Sequence, residues 1–165
     1  MNDAEKNLTG SRRPQKPFKT IALTGFLAGT LDGAAAVLQY VISGGQDPKS
    51  VFMYIASGVF GREAFSGGAA MAWWGIFFHY GIALSWTALF FFVYPRFTLL
   101  SRNRFISGLA YGVFVWLAMN LMVLPLSNVP PLRFDIARAF LGTVILMFCV
   151  GLPISLITSK YYSTT

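Results

Sequence analysis

Charge is what this sequence has least of. Asp, Glu, Lys and Arg make up 12% of the residues, and only six residues are acidic; a soluble domain carries about twice that charged share. Cysteine and histidine occur once each, as Cys149 and His79. One cysteine excludes a disulfide within the chain and any CxxC motif. One histidine excludes bis-histidine haem ligation and leaves too few N and S ligands for zinc. There is no glycine-rich phosphate loop, no HExxH and no GxSxG. Asp32 and His79 could form an acid–base pair, but no third group stands out as nucleophile or oxyanion donor. A non-enzymatic protein with no cofactor and no metal is the expectation. Cys149 sits in an apolar run and reads as a small packing residue.

What is present is apolar bulk. Apolar residues form 55% of the chain, with sixteen Phe and four Trp, and mean hydropathy is +0.58. A soluble fold this small could not hide that much surface. The net charge of +7 would suit nucleic acid if it lay on a polar surface. Instead the basic residues stand between apolar runs, the pattern that orients membrane proteins. The short Arg12-Arg13-Pro14 stretch suits anionic lipid headgroups, and no nucleic-acid partner is expected.

The expected fold class is all-α: an integral membrane bundle of four transmembrane helices. Residues 1–18 read as a basic cytoplasmic tail, disordered or lying on the surface, and residues 19–165 as one four-span membrane domain. The spans run from about 20 to 43, 69 to 94, 105 to 124 and 136 to 157, each long enough to cross about 30 Å of hydrocarbon. A cleaved signal peptide ending near Ala34-Ala35-Ala36 is the rival for the first; that stretch is too long for a signal and contains Asp32. Between the first two spans, residues 50–65 are too short to cross and suit a short interfacial helix or a re-entrant piece. Ser66-Gly67-Gly68 reads as a hinge. Trp73, Trp74 and Tyr94 suit the headgroup level. Pro125 ends span three before a stiff turn at Asn128 and Pro130-Pro131, and Gly151 with Pro153 is expected to kink span four. Nine of the thirteen Lys and Arg residues fall on the side of the termini, which predicts a membrane protein with both termini in the cytoplasm.

Small residues should bring the spans together. Gly25, Gly29 and Gly33 form two overlapping GxxxG patterns on span one, and Gly108 with Gly112 forms one on span three. They can serve packing within the bundle, the favoured reading, or a homodimer or larger assembly. A faint echo, Lys19 before Gly25-x-x-x-Gly29 and Arg104 before Gly108-x-x-x-Gly112, with Ala72-x-x-Gly75 and Ala139-x-x-Gly142, hints at two hairpin repeats.

Four polar residues interrupt the spans: Asp32, His79, Asn120 and Arg138. An ionised carboxylate at the bilayer centre costs about 2.5–3.5 kcal/mol on insertion scales, which marks such residues as functional candidates. At 1.5 Å per residue, Asp32 lies about 18 Å and His79 about 15 Å from the start of its span, so both fall near mid-height. Gly25, Gly29, Asp32, Ala36 and Gln39 share one face of span one; Ala72, Gly75, His79, Ala83 and Trp86 share one face of span two. These faces predict an Asp32–His79 hydrogen bond or ion pair, with Asn120 and Arg138 nearer the outer side of a polar cavity. A structural or accessory membrane component with the bilayer as its main partner follows. The alternative is a small transporter or channel for protons or small solutes using Asp32 and His79.

From span two to the turn after span three, the sequence resembles the YagU-like family of small bacterial inner-membrane proteins. The resemblance rests on Trp74-Gly75, His79, Tyr94-Pro95, Gly108-Leu109-Ala110, Asn120, Leu124-Pro125-Leu126 and Pro130-Pro131-Leu132. It covers roughly residues 69–132; span one fits loosely. Members are described as uncharacterised multi-span proteins with a proposed link to acid tolerance. They often carry a second histidine where this chain has Asn120, which weakens any metal or proton-relay role implied by the family.

Overall fold

In a computed structural model, residues 17–130 and 135–163 are described. The basic tail over residues 1–16, and Pro131 to Arg133 of the expected turn, lie outside the described residues. All regular structure among those described is helical. Helix α1 is Pro17–Ile42, α2 is Lys49–Phe60, α3 is Gly68–Val93 and α4 is Thr98–Arg102. Helix α5 is Arg104–Leu126 and α6 is Ile136–Ser163. Four of these, α1, α3, α5 and α6, are long and apolar enough to cross a membrane. The chain is therefore a multi-pass membrane protein built as a helical bundle.

Local sequence explains the boundaries. Asn103 caps α5 by accepting from the Phe105 and Ile106 amides at 3.0 and 3.2 Å. Asp135 caps α6 by accepting from the Arg138 amide at 2.9 Å. Both satisfy N–H groups that a helix start leaves without partners. Gly61, at φ 61°, ends α2 in the left-handed region that glycine enters without strain. Pro125 does not stop α5 at once; the helix runs one residue further, to Leu126. Helix α6 extends beyond the expected end of span four, to Ser163. Where a kink was expected, near Gly151, the helix has a π-helical stretch, Leu146–Gly151. A second π stretch, Met119–Val123, interrupts α5.

Glycines set how closely the spans approach. A Cβ on Gly25 would meet Leu84, one on Gly29 would meet Tyr80 and Ala83, and one on Gly33 would come within 3.1 Å of His79. The whole stripe of α1 is thus occupied by α3. On the other hairpin, a Cβ on Gly112 would fall 2.4 Å from the Met147 Cα, and one on Gly151 only 2.0 Å from the Gly108 carbonyl oxygen. Helices α5 and α6 therefore cross almost backbone on backbone, as small residues permit in lipid.

The half of the bundle nearest the described ends is solid. Ala28, Phe90, Tyr94, Val150 and Ile154 form its core, packed by Leu100, Tyr111, Leu146 and Tyr162. Tyr162 donates to the Phe91 carbonyl at 3.0 Å, Tyr111 to the Trp86 carbonyl at 2.6 Å, and Ser155 to the Arg104 carbonyl at 2.7 Å. Three inter-helix hydrogen bonds thus tie α6 to α3, α5 to α3 and α6 to α5.

The opposite half is hollow. Beyond Gly112, α5 presents Val115, Trp116, Met119, Asn120 and Val123 to the interior, and side chains of this size hold helices apart. Helix α2 lies across that end. Phe52 approaches His79 while Phe60 approaches Trp74 and Phe78. Both rings meet one short stretch of α3, Trp74 to His79. Gly75 makes that contact tight: a Cβ there would sit 1.9 Å from the Phe52 carbonyl oxygen.

Candidate functional site: an intramembrane cavity

The hollow half encloses a cavity of about 750 Å³, within the size range of small-molecule sites. All four long helices and α2 line it. Asp32, Ala36 and Gln39 come from α1, and His79, Gly81, Ser85 and Trp86 from α3. Trp116 and Asn120 come from α5, and Gly142 and Val150 from α6. Tyr54, Ile55, Gly58 and Val59 of α2 and Ser127 and Val129 of the α5–α6 connection close the end.

That end is held shut by one asparagine. The Asn128 amide donates to the Gly58 carbonyl at 3.0 Å, and its side chain donates to the Val59 carbonyl at 3.1 Å. These two bonds occupy carbonyls that the C-terminus of α2 leaves without helical partners. The cavity roof is thus α2 and the 127–130 segment, joined through Asn128.

Of the four polar residues singled out in the spans, Asp32, His79 and Asn120 line this cavity. Arg138 stands apart. It is exposed, in the first turn of α6, one turn before Gly142, and is not part of the lining. A guanidinium so close to a helix end reaches the polar boundary without entering the bundle.

His79 also departs from expectation. Its Nε2 lies 2.7 Å from the Gly29 carbonyl oxygen. A carbonyl only accepts, so Nε2 carries the proton and donates. The ring packs against α1 at Gly33, where a Cβ would crowd Nε2 at 3.1 Å, and Phe52 and Tyr80 meet it edge-on. The expected direct bond to Asp32 is not formed among the described residues; Nε2 is turned to the Gly29 carbonyl instead. Asp32 remains an electrostatic neighbour of His79.

Asn120 turns inward but is internally occupied, donating from Nδ2 to the Trp116 carbonyl at 2.9 Å. That bond sits at the start of the π stretch, where the ordinary helical pattern is interrupted. Tyr54, on α2 outside the spans, is half-buried, and burial alone pushes its phenol above the ordinary value of 10. It therefore faces the cavity as a neutral hydroxyl. Asp32 keeps the one carboxylate of the described lining, and no Lys or Arg accompanies it there.

Between α3 and α5 the wall is open to the side. Gly81 and Ser85 are exposed and also line the cavity; a Cβ on Gly81 would meet nothing within 4 Å. Further along, the aromatic contacts of Trp86 with Phe114 and Phe90 with Tyr111 bridge the same two helices. The lateral gap therefore opens toward the flank that faces lipid and closes toward the solid half.

The molecule is thus a multi-pass membrane protein with a side-opening, mostly apolar cavity in one half of its bundle. It matches no family model, no curated protein and no solved structure, so the chemistry of the cavity carries the functional reading.

Proposed function

We propose that this protein is a non-enzymatic, accessory component of the bacterial inner membrane that takes a small hydrophobic molecule from the bilayer into its intramembrane cavity. The observation that carries this reading is the cavity itself: about 750 Å³, lined by α2 and all four spans, and open to the side at Gly81 and Ser85. Pockets of this kind, apolar with a few fixed polar groups, are the usual form of small-molecule sites. The excess of basic residues on the side of the termini supports a cytoplasmic location for both ends. The resemblance to the YagU-like family supports the inner-membrane setting.

The test is binding of pyrene, an uncharged aromatic, to the protein in lipid nanodiscs, read by energy transfer from tryptophan. Transfer that saturates above the level of partitioning into the lipid, and that falls when Gly81→Phe fills the side gap, is expected. Transfer that only tracks partitioning defeats the reading.

A second reading, conduction of protons or small solutes, is favoured by the presence of Asp32 and His79 in one cavity. It requires a route through the solid half, where Phe90, Tyr94, Tyr111 and Tyr162 pack together. A pH dye in liposomes, comparing wild type with Asp32→Asn, tests it; equal leak rates count against conduction. An assembly of copies would have to use faces other than the glycine stripes, which α3 and α6 already cover.

A further inference from the structure

We propose that the molecule held in the cavity is a lipophilic organic cation: an aromatic or alkyl body with one delocalised or quaternary positive charge, seated against Asp32. The inference rests on the cavity being a receptor and names the class of ligand it receives.

Three observations carry it. First, Asp32 is the one carboxylate of the described cavity lining, and the lining holds no Lys or Arg. Its oxygens accept no hydrogen bond among the described residues, and they are not sealed off from the cavity as the Thr24 and Thr158 hydroxyls are sealed in the core. A carboxylate at this depth calls for a positive partner, and the nearest candidate, His79, makes no hydrogen bond or ion pair with it among the described residues, its Nε2 facing the Gly29 carbonyl. Second, the otherwise largely aliphatic wall carries five aromatic rings. Tyr54, Phe77, Phe78, Trp86 and Trp116 all line the space, and aromatic faces attract organic cations that cannot donate strong hydrogen bonds. Third, the entrance lies on the flank at Gly81 and Ser85, within the apolar length of α3. A solute that partitions into hydrocarbon can use it; a hydrated metal ion or an ordinary ammonium cannot shed its water there. An anionic amphiphile would bring its charge to a carboxylate with no Lys or Arg beside it in the described lining. A neutral one would gain the apolar wall and nothing from Asp32.

The experiment is equilibrium dialysis of the full chain in zwitterionic nanodiscs against three isosteric probes: tetraphenylphosphonium, tetraphenylsilane and tetraphenylborate. Empty nanodiscs provide the partitioning background. Saturable binding of the phosphonium at one site per chain, at least about tenfold tighter than the silane and with no saturable borate binding, is expected; one decade corresponds to about 1.4 kcal/mol. In Asp32→Asn the phosphonium advantage over the silane is expected to vanish while silane binding persists. Equal saturable binding of phosphonium and silane to wild type, a preference for borate, or an unchanged phosphonium advantage in Asp32→Asn overturns the cation assignment and leaves the cavity reading standing. Absence of saturable binding by all three removes both. Should Asp32→Asn resist purification, the ranking of the three probes on wild type decides by itself.

Discussion

The two halves of this bundle are made from the same kinds of residue and reach opposite outcomes. Toward the described ends, Gly108, Gly112 and Gly151 let α5 and α6 touch at the main chain, and the space left over is filled by Phe90, Tyr94 and Ile154, each at most 5% exposed. Toward the connector, large side chains such as Trp116 and Met119 take the places that glycine holds below, and the same helices splay around a void. A tight crossing at one level forces divergence at another, since straight rods that cross at an angle separate on either side. The difference teaches that in lipid, where water does not press helices together, the placing of a few small residues decides where a bundle is dense and where it is empty.

The sharpest way to break that contrast is to put a side chain into the dense crossing. Gly151→Val has no room beside the Gly108 carbonyl, and we expect loss of folded, monodisperse protein, read by size-exclusion profile after solubilisation. Phe90→Ala should come next, at about 3 kcal/mol, the scale of emptying a fully buried aromatic site; a reversible unfolding titration in mixed micelles measures it. Tyr111→Phe keeps the ring and removes only the hydroxyl bonded to the Trp86 carbonyl, so about 1 kcal/mol is expected from the same titration. His79→Ala, at the border between the halves, should cost about 0.6 kcal/mol for its inter-helix hydrogen bond, with the ring's packing added. Gly81→Ala, on the hollow side, should move the midpoint by no more than about 0.5 kcal/mol. If Gly81→Ala proved as damaging as Phe90→Ala, the distinction between a filled half and an empty half would be lost.

Much of the architecture was legible because lipid writes strong signals. Runs of twenty or more apolar residues cannot be mistaken for soluble helices, and glycines at four-residue spacing mark a face where another backbone must come close. The segment between the first two spans was readable as too short to cross, but not its destination. Gly75 was visible as a small residue on the inner face of α3; that it admits the main chain of α2 required coordinates. Neither π stretch could be inferred, since the periodicity of α5 and α6 stays apolar all round and hides an extra residue per turn. The inward position of Asp32 and His79 followed from faces and depth, whereas Asn120 was marked only by its polarity within a span. The partner of His79 did not, because a main-chain carbonyl leaves no trace in side-chain spacing. Arg138 carries the same charge signal as an interior arginine, and only its distance from the helix end distinguishes the two. A polar cavity open outward was expected from the polar residues; the space found is mostly apolar, opens to the side and leaves Arg138 out, because its size and walls depend on how the helices diverge and not on any one residue.

The two Asn128 bonds have a mechanical consequence. They fasten the α5–α6 connection to the end of α2, so the pieces that cover the void share one clasp. A swing of either piece alone would tear both bonds. The cover of the void is therefore one plate pinned at two points, and Asn128→Ala would release only the side-chain pin at the Val59 carbonyl, leaving the main-chain bond to Gly58 in place.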